Sequence, residues 1–340
     1  MLNIHVLGID LGKSNFHVCA FDSSSRILFK KKLSRKQLID LLASIEQTIV
    51  AFESCGGAHW LARKCEQLGH QAKLIPPQYV KPYVKTNKND FVDAEAIAEA
   101  STRPNMRFVR AKSEEQQVIS VCHRIRSGYV TERTAVMSRI GATLLEFGLA
   151  LPVGHAKMKA LFSWIAQQRH IELPPLLLRE LELMHRDYLH LNDRIAEQGQ
   201  KIKAWSKHNE CCELVKSIPG VGDMLSTSLV MEVGDAKQFK NDREMAAWLG
   251  LVPAQYSTGG KQKLLGISKR GNKSLRCLFV HGARAMMSRL GRNSGPYDAW
   301  LTRPRASKPF NVACIALANK LARIAWAVVT TKTPFTRTAF

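Results

Sequence analysis

The order in which the first hundred residues change their hydrophobic period is what most constrains this chain. "IHVLGIDLG" is a short apolar run ending at an acid and a glycine. "SNFHVCAFD" alternates and reads as a second strand, and "SSSRILFKKKL" reads as a third after a polar turn. Period-two stretches bounded by polar turns are strands. "RKQLIDLLASI" then carries its apolar residues at helical spacing, and "TIVAFES" is a buried strand that again ends at an acid. "AHWLARKCEQLG" is a helix closed by Gly69, and "QAKLIPP" is the next strand. "DFVDAEAIAEAS" reads as a helix with Asp90 near its start.

The acids fall at meaningful places in that order. Asp10 closes the first strand and Glu53 a later one, while Asp90 and Asp93 are three apart and share one helix face. A β-β-β-α-β start of this kind suits a ribonuclease-H-like α/β domain, in which adjacent strand ends and one helix bring carboxylates to one point. Carboxylates gathered in this way bind hard cations: Mg²⁺ takes oxygen ligands and keeps waters and substrate phosphates in its shell. Two such ions about 4 Å apart stabilise both the attacking and the leaving oxygen of a phosphodiester. Taken singly, each acid has a plainer reading, as a strand-end acid or a helix cap. Glu95 and Glu99, on the same later helix, read as surface acids.

Beyond about Arg103 the pattern is helical. "SEEQQVISVCHRIRSGYVTERTAVMSRIGATLLEFGL" is a long amphipathic stretch with interleaved basic residues. Leu177, Leu181, Met184, Tyr188, Leu191 and Ile195 step by four and three, and Ile202 continues them past the polar Gln198. That is the heptad seam of a coiled coil or a long helical hairpin, or else one helix packed on its own domain. The expected domains are 1–105, α/β with a helical extension to about 150; 151–210, helical; and 211–335, mainly helical. In the last, "SIPGVGDMLSTSLVMEVGD" has the I-P-G-V-G pattern of a helix-hairpin-helix. There Gly220 and Gly222 free backbone N–H groups to hold a phosphate without reading sequence. An ordinary glycine turn between two helices is the alternative.

The charge makes the phosphate reading matter. Lys plus Arg number 50 against 28 acids, a formal net charge of +22. Over a globular chain this points to a polyanion, most simply nucleic acid. "AQYSTGGKQKLLGISKRGNKSLR" joins a Ser-Thr-Gly-Gly turn to a basic loop. Its Lys261, Lys263, Lys269, Arg270 and Arg276 are candidates for backbone contacts. None of the eight cysteines has C-x-x-C spacing, which argues against zinc. No stretch reads as a signal peptide or as an apolar run long enough to span a bilayer. A cytoplasmic chain with reduced thiols and no membrane partner is therefore expected.

With these motifs in order over nearly the whole chain, the sequence resembles the DEDD-type transposases of the insertion-sequence group called "one-ten", including its "eleven-eleven" subgroup. "GIDLGKSNFHVCAFD", "FES", "NKNDFVDAEAIAE", "SIPGVG", "FKNDREMAAWLGLVPAQYSTGG" and "GISKRGNKSLR" carry the resemblance. It implies a RuvC-like nuclease domain, a coiled-coil segment and a transposase domain with a reactive serine. Asp10 and Glu53 match the first two acids of the DEDD set, and Asp90 and Asp93 the final D-x-x-D. Ser257, after "PAQY", matches the nucleophile, with Ser268 as the competing candidate. The family often has Ser-Gly after the tyrosine, where this chain has Ser-Thr-Gly-Gly.

The resemblance further implies cutting and rejoining of DNA through a phosphoserine link, with Mg²⁺ (or Mn²⁺) on the four acids. It implies a serine supplied to the acids of another protomer, in a homo-oligomer from dimer to tetramer. It also implies donor and target DNA chosen by a non-coding bridge RNA, in a bacterial cytoplasm and on the nucleoid when DNA is bound. A serine hydroxyl is a weak nucleophile that needs a proton acceptor and a neutralised phosphate, and cations supply both. The alternatives are a RuvC-like junction nuclease that uses water, an actin-fold ATPase, and a non-catalytic nucleic-acid-binding protein. "GIDLG" alone would fit the ATPase, but the chain carries no second phosphate loop.

Overall fold

The structure, a computed structural model, describes residues 3–85, 89–152, 154–168, 172–289 and 297–336. The chain divides into two compact units between Glu115 and Gln116.

The first unit runs β1 (Val6–Leu11), β2 (Asn15–Phe21), β3 (Ile27–Ser34), α1 (Arg35–Ser44), β4 (Ile49–Glu53), α2 (Ala58–Gln67), β5 (Gln71–Ile75), α3 (Pro77–Val80) and α4 (Asp90–Ser101). Its five strands form one mixed sheet in the order β3-β2-β1-β4-β5. β1 pairs antiparallel with β2 and parallel with β4. This architecture is compatible with a ribonuclease-H-like domain. Local signals start and stop the helices, and the close of α2 at Gly69 is the one expected from the sequence. Ser34 and Gln37 form a reciprocal capping box at α1, and Gly69 takes a positive φ of 87° just after α2.

Both faces of the sheet are covered. Leu7, Ile9, Val18, Ala20, Val50 and Phe52 pack with Leu38, Leu42 and Leu61 of α1 and α2. On the other face Val6, Cys19 and Phe21 pack with Ala94 and Ala98 of α4, and Ala51 and Ile75 with Ala96 and Ile97. Each large aliphatic side chain buried in this way contributes about 1.5–3 kcal/mol relative to exposure. α4 sits very close to β1. A Cβ built on Gly8 would stand 2.3 Å from the Ala94 carbonyl oxygen and 2.7 Å from the Ala98 Cβ. Gly8, Ala94 and Ala98 therefore set the depth at which the helix docks.

The second unit contains α5 (Glu114–Glu146), α6 (His155–Lys159), α7 (Leu161–Ala166), α8 (Pro175–Lys207), α9 (Glu210–Lys216), α10 (Asp223–Val233), α11 (Asp242–Trp248), the strands β6 (Pro253–Thr258) and β7 (Lys261–Ile267), α12 (Lys273–Met287), α13 (Asp298–Ser307) and α14 (Phe310–Thr331). Of the heptad residues, Leu181, Tyr188, Ile195 and Ile202 are fully or nearly buried. Leu181 and Tyr188 share a core with Val136, Ile140 and Leu144 of α5, and Arg133 donates to Asn192 across the pair at 2.9 Å. The seam is thus an intramolecular helical hairpin, and the segment 151–210 belongs to the second unit.

A separate core joins α9, α10, α12 and α14. Here the expectation of no membrane-length apolar run needs correction: α14 has the length and composition of a span. Its apolar face, including Leu317, Leu321, Ile324 and Val328, is buried in that core. Polar residues at Asn319, Lys320 and Arg323 break up the apolar pattern along the sequence, which is why the run is not obvious there.

Candidate active site

The sheet register assembles the acidic site. Val6, Gly8 and Asp10 alternate onto the face of β1 that α4 covers. One step beyond the Ile9–Phe52 pair, β1 and β4 continue to Asp10 and Glu53. The Cys55 thiol, pushed up first by burial, is raised further by the charges of both Glu53 and Asp10. On the other side Asp10 pairs directly with His17 of β2. Strand pleating therefore points Asp10, Glu53 and His17 to the same side.

α4 supplies the rest. Its cap is Asn89, whose side chain accepts from the Phe91 N–H, so Asp90 is not consumed as a cap. Asp90 and Asp93 occupy the first turn, and the Asp90 carboxylate lies 3.4 Å from His17 Nδ1. His17 also meets the Phe91 ring edge-on, with centroids 4.8 Å apart. Among the described residues, the ligand atoms of Asp10, His17 and Asp90 all lie within 4.8 Å of one another. Glu53 and Asp93 adjoin this group without belonging to it.

Glu95 and Glu99 of the same helix are half-buried rather than surface acids, and each is neutralised. Glu95 pairs with Lys30 at 2.6 Å; Glu99 pairs with Lys85 at 2.8 Å and Arg103 at 2.6 Å. The Lys85 hydrogen bond is the main cause that holds the Glu99 carboxyl below its ordinary value. A cation-binding set of Asp10, Glu53, Asp90 and Asp93 fits this chemistry, since it is rich in oxygen donors. His17 was not identified from the sequence. The signal was there, in the alternation of "NFHVCAF", but its meaning depends on the antiparallel register.

In the second unit, Ser257 does not sit in a turn. Gly259 and Gly260 have φ of 56° and 77°, the pattern of a two-residue hairpin turn, so Thr258 faces Lys261 and Ser257 lies within β6 opposite Gln262. The supposed basic loop is a β-hairpin, exposed along almost its whole length. Gln255 Nε2 donates to Ser257 Oγ at 2.8 Å. Alternation puts Gln255, Ser257, Gln262 and Leu264 on one face, and Tyr256, Thr258, Lys261 and Lys263 on the other. The two lysines thus lie behind the serine rather than beside it. Ser268 lies past the end of β7, its N–H bonded to the Val252 carbonyl at 2.8 Å.

The remaining candidates differ in exposure. Lys269 and Arg270 are exposed, with Lys269 in the left-handed region at φ 54°. Arg276 is buried, and its Nη1 donates to the Leu249 carbonyl at 3.0 Å and the Arg270 carbonyl at 3.1 Å. It braces the two loops from inside, because Gly250 and Gly271 bring their backbones into contact there. Gly220, at φ 92°, packs on Gly282 of α12, whereas Gly222 is the exposed N-cap of α10. Asp223, just after it, is raised by burial but held below its ordinary value on balance, chiefly by the hydrogen bond from Lys216 at 3.1 Å.

Comparison with known proteins adds a second line of observation. A model of DEDD transposases of the IS110 type, described as a transposase, matches residues 7–148. The model described as "Transposase IS116/IS110/IS902 family" matches residues 212–297. The transposase for insertion sequence element IS1328 of Yersinia enterocolitica is 46% identical over 337 residues, covering 99% of this chain and 100% of the relative. That for IS1111A of Coxiella burnetii is 40% identical over 330 residues, covering 97% and 91%. A pilin gene-inverting protein of Moraxella lacunata is 22% identical over 349 residues, covering 97% of each.

Proposed function

The chain belongs to the IS110/IS116/IS902 family of insertion-sequence transposases, and from that premise we propose that it exchanges DNA strands through a covalent phosphoserine intermediate formed by Ser257. The observation that carries this reading is the gathering of Asp10, His17 and Asp90, with Glu53 and Asp93 adjoining, above one end of the sheet. A divalent cation, Mg²⁺ or Mn²⁺, held by the four acids would neutralise phosphate charge and ease deprotonation of the nucleophile.

The chain's own groups account for the rest. Ser257 Oγ forms a bond to phosphorus as one phosphorus–oxygen bond to deoxyribose breaks. The serine proton passes to solvent water, and the departing sugar oxygen takes a proton back from solvent. Gln255 orients Oγ through its amide N–H, and an amide is too weak a base to take the proton. The phosphoserine bond conserves the energy of the broken phosphodiester, so a second strand can attack it without ATP. Lys261, Lys263, Lys269 and Arg270 hold flanking phosphates, and the exposed amides at Gly222 offer a further sequence-independent contact.

A bridge RNA pairs with donor and target DNA and chooses the sites, and a dimer or tetramer brings one protomer's serine to another's acids. A relative named as a gene-inverting protein is consistent with recombination of this conservative type.

Labelled DNA on a denaturing gel tests the reading. The full chain is expected to trap DNA covalently with Mg²⁺ present, and Ser257→Ala and Asp10→Asn are each expected to abolish trapping. Cleavage that continues in Ser257→Ala without an adduct would support a nuclease that uses water. Sequencing of copurified RNA tests the guide: absence of an RNA from the element's own flanks would remove that part of the proposal.

A further inference from the structure

The four acids of the family pattern leave one largely buried group without a task. His17 stands on β2 with its side chain 12% exposed, opposite Asp10 in the sheet and 3.4 Å from Asp90. Its ring is fixed edge-on to Phe91. A cation with bonds of about 2.1 Å holds its ligand atoms roughly 3.0 Å apart when adjacent and 4.2 Å when opposite. The donor atoms of Asp10, His17 and Asp90 already lie within 4.8 Å of one another. That spread exceeds the span of opposite ligands by at most about 0.6 Å, which a small side-chain rotation covers.

The donor type then matters. Mg²⁺ prefers oxygen ligands and gives up water reluctantly, and imidazole adds little to its binding. First-row transition metals bind imidazole readily, and Mn²⁺ accepts mixed carboxylate and imidazole sets. We propose that His17 is a nitrogen ligand of the divalent cation at this site and shifts its preference from Mg²⁺ toward Mn²⁺. The proposal rests on the reading of the carboxylates as a cation site. It makes His17 a specificity-determining residue of that site, beyond the four acids.

The test uses the full chain, stripped of metal and titrated with Mn²⁺ and Mg²⁺ separately, with pulsed electron paramagnetic resonance on the Mn²⁺ form. Wild type is expected to bind Mn²⁺ with a nitrogen coupling in the resonance signal. His17→Gln keeps a hydrogen-bonding group beside Asp90 but is a poor metal ligand. It is expected to lose the nitrogen coupling and about tenfold or more in Mn²⁺ affinity, with Mg²⁺ affinity changed by less than about threefold. Wild-type Mn²⁺ binding without nitrogen coupling would overturn the proposal and reduce His17 to a hydrogen-bond partner of Asp90. An unchanged Mn²⁺ to Mg²⁺ ratio in His17→Gln would do the same. Should His17→Gln fail to fold, the wild-type spectrum decides alone. Asp10→Asn separates the two levels: if it binds Mn²⁺ as wild type does, the carboxylate reading fails, and the His17 proposal with it.

Discussion

Asp10 ends a strand in which Val6, Leu7 and Ile9 are fully buried, whereas every residue of β6 except Ala254 is exposed. The acids are therefore positioned by a core and the serine by a hairpin that has almost none. Chemistry that gathers cations needs carboxylates held within tenths of an ångström, and a close-packed sheet face supplies that. A nucleophile that has to reach a phosphate on bound DNA gains from a projecting ribbon. The comparison predicts that changes under the acids cost fold and function together, while changes in the hairpin cost function alone.

Gly8→Val gives the largest expected effect. Its side chain would be forced against the Ala94 carbonyl, so α4 has to lift from β1 and carry Asp90 and Asp93 with it. A loss of about 3 kcal/mol, the upper end for overpacking, is expected, measured by denaturant unfolding, together with loss of strand exchange. Retention of both would mean that α4 docking does not fix the site.

The second unit has its own pH dependence. Burial, with Arg126 as the lesser cause, pushes the His123 imidazole down to about 4 from 6.5. It accordingly stays neutral when folded, against Thr227 Oγ1 at 2.9 Å. On unfolding below pH 6.5 it gains a proton, so the unfolded chain binds more protons and stability falls as the pH drops from 6.5 toward 4. The full effect is about 3 kcal/mol. His123→Gln is expected to flatten the slope of unfolding midpoint against pH in that window.

Arg276→Ala separates the inside of the basic region from its surface. Two internal carbonyls lose their donor, so a stability loss of about 2 kcal/mol is expected, with the salt dependence of DNA binding unchanged. Lys261→Ala combined with Lys263→Ala is expected to do the reverse, lowering the slope of log affinity against log salt by about two with the unfolding midpoint unmoved. A small effect on stability is expected from Gly259→Ala with Gly260→Ala. Both positions have positive φ, so the turn and the Ser257–Gln262 pairing are disturbed, but little core depends on them. Alanine in the left-handed region costs about 1–2 kcal/mol at each position, but the exposed hairpin opens locally to relieve it, so strand exchange is expected to fall while global stability changes by less than about 1 kcal/mol. A large stability loss would show that the hairpin is part of the fold's core after all.

Much of the acidic half was legible in the chain. Asp10 and Glu53 follow apolar runs whose strand character is local, and Asp90 and Asp93 share a helix face by spacing alone. The close of α2 at Gly69 is equally local, whereas the caps at Ser34 and Asn89 were not read from the sequence. The hairpin was less legible, because "YSTGGKQKLLG" has no buried face and so no alternation of apolar and polar residues to mark its strands. Gly-Gly was readable as a turn, but its boundaries were not, and Ser257 was assigned to the turn when it belongs to the strand. Arg276 looked like its basic neighbours, and nothing in its local sequence reveals that two backbone carbonyls enclose it.

The sequence by itself determined the order of strands and helices in the first unit, the acids at strand ends, the glycine turns and the excess of positive charge. Each follows from interactions among residues a few positions apart, or from composition. Only the tertiary structure decided that His17 stands opposite Asp10, that Gly8 lets α4 dock deep enough to bring Asp90 to both, and that Lys261 and Lys263 lie behind Ser257. The register between strands and the depth of helix packing depend on contacts between segments far apart in the chain. No local period carries that information.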